Sequence, residues 1–348
     1  MNTNQINLNK LNKILISVFL VSLLMYLGKP FLIPVAIAAF FAMLLFPVSR
    51  QLQQYGFKES SGALVSILLL LATLIILGTI VYQKISDLQT DLPELEAKIA
   101  EKTDQLQWLL SRTTDISEYE QDVILEERKP DIIKAVGKAI KNFLVDSLYM
   151  LLQIFIVLTY TFFFLIYRHK IHTFFIKLHL FENKEESRTV IHQIAGIVHH
   201  YLKGTFLVIS VLSVIYALGF WALGIKHALL FALITALLRI VPYFGSFLGI
   251  AFPIAFAFLT KESMWYPVLI IIFFMITQLL EANLLTPYIT GARVKLNPLA
   301  TIMVILLGNL LWGVPGMILF VPLFGIIKVI CDEIPPLHPY GYMLGKEA

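Results

Sequence analysis

Read for hydropathy alone, the chain is a series of long apolar runs joined by short polar turns, with one long polar interruption. A helix that crosses a hydrocarbon layer of about 30 Å needs about 20 apolar residues. Ile14 to Gly28, Phe31 to Val48 and Gly62 to Tyr82 meet that need, the first two narrowly, and Pro30, Pro34 and Pro47 punctuate the first pair. Asn142 to Tyr167, Thr205 to Leu223 and Trp265 to Leu285 read as three further spans. Leu229 to Leu259 and Leu299 to Ile330 differ, because a straight helix of either length would measure about 47 Å. Each breaks near its middle, at Pro242-Tyr243-Phe244-Gly245 and at Gly313-Val314-Pro315-Gly316. The pattern predicts two discontinuous spans whose halves are too short to cross alone, and eight passes in all.

The polar interruption, residues 84–142, holds 13 of the 23 acidic residues and 9 of the 27 basic ones. Ile85, Leu88, Leu92, Leu95 and Ile99 recur three and four apart, and Leu106 and Leu109 resume the stripe, with a kink expected at Pro93. Ile133, Val136, Ile140 and Leu144 form a second amphipathic piece. Two helical arms that prolong the third and fourth spans into water are expected. Their stripe fits packing of arm on arm or of arm between subunits. After the fourth span, apolar residues such as Phe174, Phe175, Leu178 and Phe181 alternate with charges up to residue 203, as in a helix lying in the headgroup layer. The chain therefore divides into spans 1–3 (1–83), extracytoplasmic arms (84–142), span 4 with a cytoplasmic connector (143–203), transport-site repeats of a helix and a broken helix (spans 5–8, 204–330) and a cytoplasmic tail (331–348).

Composition agrees with an all-α polytopic membrane protein. The chain is 58% hydrophobic and 14% charged, against about 25% charged in soluble domains. A net charge of +4, scattered along the chain, does not point to nucleic acid. The single cysteine, Cys331, excludes an intrachain disulfide and a cysteine-based metal site. No small-residue cleavage site follows Lys10 and Lys13, so the first apolar run reads as a retained span. Eight passes put both termini on one side. Lys10, Lys13, Arg50, Lys58, Lys261, Lys328 and the six basic residues of the connector would then be cytoplasmic, opposite Lys29, Lys226, Arg293 and Lys295.

Within the spans the acids are Asp146 and Glu281, and the central base is Arg239. A charge at bilayer depth costs roughly 2.5–3.5 kcal/mol on insertion scales, and a freed backbone group several more. Such residues persist where they face protein or a wet cavity, so the stretch from Leu229 to Pro253 reads as lining a solute path. Asp146, near its helix end, can snorkel and reads as structural. Gln278 and Glu281 share a helix face, and Arg239 lies at a similar depth, so an Arg239 to Glu281 pair would satisfy both charges. That pair fits a packing device, and equally a contact for a polar solute or a coupling proton. Asn283, Thr286, Pro287 and Tyr288 extend the polar seam. Gly245 and Gly249 have the spacing for close helix approach, and Tyr243 fits a solute contact or an interfacial anchor. His192, His199 and His200 lie on an amphipathic helix without a thiol or a carboxylate pair, and read as solvated. No HExxH, GxSxG or Walker pattern occurs, so neither an enzyme nor a bound cofactor or metal is expected.

The blocks RIVPYFGSFLGIAFP, QLLEANLLTPYITGARVKLNPLATI and GNLLWGVPGMILFVPL resemble the consensus of the AI-2E family, also described as PerM-type permeases. The resemblance covers nearly the whole chain. It implies a multi-pass bacterial inner-membrane protein of eight spans, a homo-pentamer and an elevator-like movement. It also implies export of the furanone signal autoinducer-2 or, in other members, sodium (lithium)/proton antiport. The family's characteristic positions fall on Pro242, Gly245, Glu281, Asn283, Pro287, Leu296, Pro298, Gly313, Gly316 and Pro322, while Arg239 stands where members often carry an uncharged polar residue. The expected function is secondary export of a small polar solute. Its pathway would use Arg239, Tyr243, Gln278, Glu281, Asn283 and Thr286, with hinges at Pro242, Gly245, Gly249, Pro287, Gly313, Pro315 and Gly316. The alternatives are a cation/proton antiporter and an oligomeric scaffold without transport.

Overall fold

The computed structural model describes residues 8–91, 98, 147–177, 184–241, 244–289 and 296–345. Most of the expected arms, and Pro242 and Tyr243, lie outside the described residues. The helices are α1 (Leu8–Leu27), α2 (Lys29–Gln54), α3 (Glu59–Thr90), α4 (Ser147–Ile166), α5 (Arg168–Lys177), α6 (Lys184–Ala222), α7 (Ala228–Leu238), α8 (Phe244–Thr260) and α9 (Trp265–Leu280). A π-helix (Glu281–Leu285), α10 (Thr286–Ile289), α11 (Pro298–Trp312), α12 (Val314–Glu333), a 3-10 turn (Pro335–Leu337) and α13 (His338–Leu344) follow.

Among the described residues, five segments are long and apolar enough to be membrane spans: α2, Glu59–Leu88, Val190–Ala222, Trp265–Leu285 and α12. The pair α4 and α5, bent by 67°, makes a sixth if taken as one. Arg168 pins that bend. Its Nη2 pairs with Glu59 at 2.9 Å and donates to Gln53 at 3.1 Å, and its guanidinium lies 5.5 Å from the Phe46 ring centroid. Small residues bring α2, α3 and α4 together, with Ala42 and Ala63 buried beside Ile67 and Leu165.

The long helix α6, about 58 Å if straight, serves two cores. Val198 packs with Phe40, Val304, Ile305, Trp312 and Phe320, whereas Val208, Leu212, Tyr216 and Phe220 pack with α7, α8 and α9.

The two interrupted runs fold back on themselves, which corrects the expectation of broken single passes. In the first, Thr235 donates to the Gly249 carbonyl at 3.0 Å, although the two are 14 residues apart and a continuous helix would separate them by about 21 Å. In the second, Gly313 turns the chain at φ +64°, and the backbones of Gly308 and Gly316 meet across the turn. Nor are all the halves too short to cross, since α12 has 20 residues. Hydropathy reports the length and the break but not the direction the chain takes afterwards. The glycines that let two backbones touch decide that.

The open ends of the two hairpins lie at opposite ends of the helices. The open end of the first gathers Gly224, Lys226, Thr260 and Lys261 around Asp91, at the end of α3. From there 25 residues of α9, the π-helix and α10, about 37 Å, run toward the open end of the second. At that end Leu296 bridges to Gly345, beside Lys328. The Trp312 indole donates to the Met25 carbonyl at 2.9 Å, which places the tip of the second hairpin at the α1–α2 corner. From that corner α2 and α12 run side by side, so Lys328 lies on the face of the α2–α3 turn. Lys261 therefore shares a face with Lys226 and not, as expected, with Lys58 and Lys328. A hairpin returns the chain to the face it left, whereas a single pass would have moved it across.

Candidate functional site

The helix α7 is apolar throughout, ALLFALITALL, and has no side chain to answer a charge. It ends at Arg239, the first residue beyond its last turn, so the guanidinium leaves from the tip of the first hairpin. A Cβ at Gly245 would run into the Leu238 carbonyl, and one at Gly249 would lie 2.6 Å from the Thr235 Cα. Both glycines thus allow the close packing that holds the tip in shape.

Glu281 meets the arginine from the other side. Arg239 Nε donates to Glu281 Oε2 at 2.5 Å, and Nη2 pairs with Oε1, the two-pronged geometry in which an arginine and a carboxylate bind best. Glu281 is 5% exposed, and the Arg239 side chain 22%. Glu281 is also the first residue of the π-helix. Such a widened turn inserts a residue, leaves a carbonyl short of its usual partner and often marks a functional position. Here Asn283 Nδ2 donates to the Leu279 carbonyl at 2.9 Å.

The polar seam expected from sequence divides at this point. Glu281 turns inward, while Asn283 and Tyr288 are exposed, Tyr288 at 87%. Gln278 and Thr286 are half-buried, and the Pro287 position opens α10. In the second hairpin, Gly313 takes the left-handed turn, Pro315 lies in the first turn of α12 and Gly316 makes the backbone contact with Gly308.

Sequence reasoning passed over two tyrosines of α6. Tyr216 shares a buried core with Ala236, three residues before Arg239, and Tyr201 packs against the core of the second hairpin. Tyr216 is fully buried, and its hydroxyl has no hydrogen-bond partner among the described residues. An unpaired, desolvated hydroxyl costs about 1–3 kcal/mol. In a hydropathy profile both tyrosines read as ordinary parts of an apolar face, so only the fold reveals them.

A second polar cluster closes the open end of the first hairpin. Asp91 Oδ2 pairs with Lys226 Nζ and with His227 Nε2, each at 2.8 Å. The ammonium of Lys226, and after it His227, holds the Asp91 carboxyl below its ordinary value of 3.8. His227 is buried, with its ring 5.4 Å from Phe256 and 6.4 Å from Phe231. Asp91, Lys98, Gly224, Lys226, Phe256, Thr260 and Lys261 line a cavity of about 160 Å³ beside it. A third cluster lies at the other face, where Lys328 pairs with Asp332 in a cavity of about 260 Å³ closed by α13. Among the described residues no group of three or more His, Cys, Asp or Glu is placed to hold a metal. His200 Nδ1 lies 2.7 Å from the Gly196 carbonyl of its own helix.

A sequence profile described as AI-2E family transporter matches residues 14–335. The chain belongs to the AI-2E transporter family. This AI-2E member is 35% identical to YrrI of Bacillus subtilis over 130 residues, 37% of this chain and 36% of that protein. Against YueF of the same organism it is 23% identical over 333 residues, 90% of this chain and 89% of the relative. Both are named for transport, with no solute stated. The AI-2 transport protein TqsA of Escherichia coli is 23% identical over 307 residues, 87% of this chain and 86% of its own.

Proposed function

We propose that the chain is a secondary transporter that carries a small polar solute across the bacterial cell membrane, with the Arg239–Glu281 pair as the point of solute exchange. The observation that carries this reading is the pair itself, which joins the tip of a hairpin to a π-helix inside the apolar segment Trp265–Leu285. A purely structural pair gains little, because desolvation of two charges offsets most of their attraction. Separating the pair without a replacement costs about 3–5 kcal/mol. The tip therefore moves only when something takes the place of the carboxylate on Arg239, which is how a solute or a proton can drive the change. Two hairpins entering from opposite faces supply an inner and an outer gate around that point. In this reading α1, α2, α3, α4, α6 and α9 each cross the membrane once, the first hairpin dips into it, and the second reaches the far face at its tip and returns. The count of crossings stays even, so both termini are cytoplasmic by the positive-inside rule.

The relative named for AI-2 makes an autoinducer-2-like molecule the first solute to try, and export is the direction that the sequence resemblance implies. Cation/proton exchange is the second reading, favoured by Glu281, a buried carboxylate that can gain and lose a proton. The test is flux in proteoliposomes. AI-2 movement should be lost in Glu281→Gln and in the double variant Arg239→Gln/Glu281→Gln, whose paired neutralisation keeps the fold. Retained AI-2 flux in the folded double variant would sink the proposal. Sodium-driven proton movement that vanishes in Glu281→Gln while AI-2 stays still would select the second reading.

A further inference from the structure

We infer that the Tyr216 hydroxyl is a solute-binding group which, with Arg239, forms a donor site for a small molecule dense in oxygen acceptors, such as a carboxylate or a vicinal diol. The inference rests on the reading of the ion pair as the exchange point and deepens it. The packing around Tyr216 asks only for a ring. It stacks on Phe220, with centroids 5.8 Å apart and planes 15° apart, and meets the edge of Phe273 at 6.1 Å. Gly219 makes room for Phe273 at this spot. A phenylalanine would satisfy every one of these contacts without burying a polar atom. The hydroxyl, in contrast, has no partner among the described residues. It belongs to the helix against which the first hairpin packs, in the same buried core as Ala236, three residues before Arg239.

The donor count then describes the ligand. Arg239 presents two parallel N–H groups that now hold the Glu281 carboxylate, and a ligand displacing that carboxylate must bring two oxygens at similar spacing. Tyr216 adds one O–H for a further acceptor. A bare cation meets only the positive guanidinium and so does not replace Glu281 there.

The test is thermal unfolding of purified full-length protein in detergent, with D-glycerate, D-ribose or sodium chloride added at millimolar concentration. Glycerate or ribose should stabilise the natural protein. Tyr216→Phe should need about tenfold more of the same probe for the same effect, and should be no less stable than the natural protein without it. Arg239→Gln/Glu281→Gln should not respond, and sodium should stabilise none of them through this site. An equal response in Tyr216→Phe, no response in the natural protein, or a Tyr216→Phe protein that is weaker without any probe would each overturn the inference. If Tyr216→Phe behaves as expected while AI-2 flux survives in the double variant, the failure lies with the reading of the ion pair and not with the tyrosine.

Discussion

Arg239 and Glu281 occupy positions in which neither charge is stable alone, and that asymmetry makes the pair measurable. Either single neutralisation, Arg239→Gln or Glu281→Gln, leaves a buried uncompensated charge and should lower stability by about 3–5 kcal/mol. The double variant should lose far less than the sum, so a double-mutant cycle from thermal unfolding should give a large coupling energy. Additive losses would mean that the two side chains do not meet. Asp91 is a milder case. Its carboxyl is held below 3.8 by Lys226 and then His227, so the tie to the hairpin is complete at pH values above 3.8 and is lost as the pH falls through the depressed folded value. Asp91→Asn should therefore weaken the protein at neutral pH and flatten its acid response in that window, as read from unfolding temperatures in a pH series.

Among the helices, the contacts that matter most are made by residues with almost no side chain. Gly249 against Thr235 and Gly308 against Gly316 leave no room for a methyl group without a shift of backbone. Gly249→Ala and Gly308→Ala should each cost about 1–3 kcal/mol, whereas the same change at Gly78, where nothing lies within 4 Å, should be neutral or stabilising in unfolding experiments. Much of this scale was legible in the sequence. The breaks after Leu238 and at Gly313 fall where Pro and Gly interrupt the apolar runs of the sequence, and the common depth of Arg239 and Glu281 follows from counting along two helices. The reversal at each break was not legible, because a glycine that ends one helix and a glycine that seats a neighbouring backbone look alike in one dimension. The inward turn of Glu281 beside an outward Asn283 was equally hidden, since it depends on a π-helix that no hydropathy window registers.

For the molecule as a whole, the folded-back hairpins change which loops share a face. In a background of Cys331→Ala, single cysteines at Lys226 and Lys261 should react with an impermeant maleimide from the same side of sealed vesicles, and one at Lys58 from the opposite side. Labelling of Lys261→Cys together with Lys58→Cys would restore the single-pass arrangement. The family and the helical class were readable from three sequence blocks, because those blocks hold the tips and the π-helix where the chain departs from plain apolar helix. Tyr216 carries no such mark.

The hydrogen bond from Trp312 to the Met25 carbonyl ties the tip of the second hairpin to the N-terminal helices, beside their apolar contacts. Trp221 and Trp265, by contrast, face outward at 75% and 70% exposure. The protein thus carries its own optical gauge. If the hairpin swings, this indole must part from its carbonyl, and the emission colour and lifetime of that one fluorophore, isolated by replacing the other three tryptophans with phenylalanine, would report each opening without any attached dye.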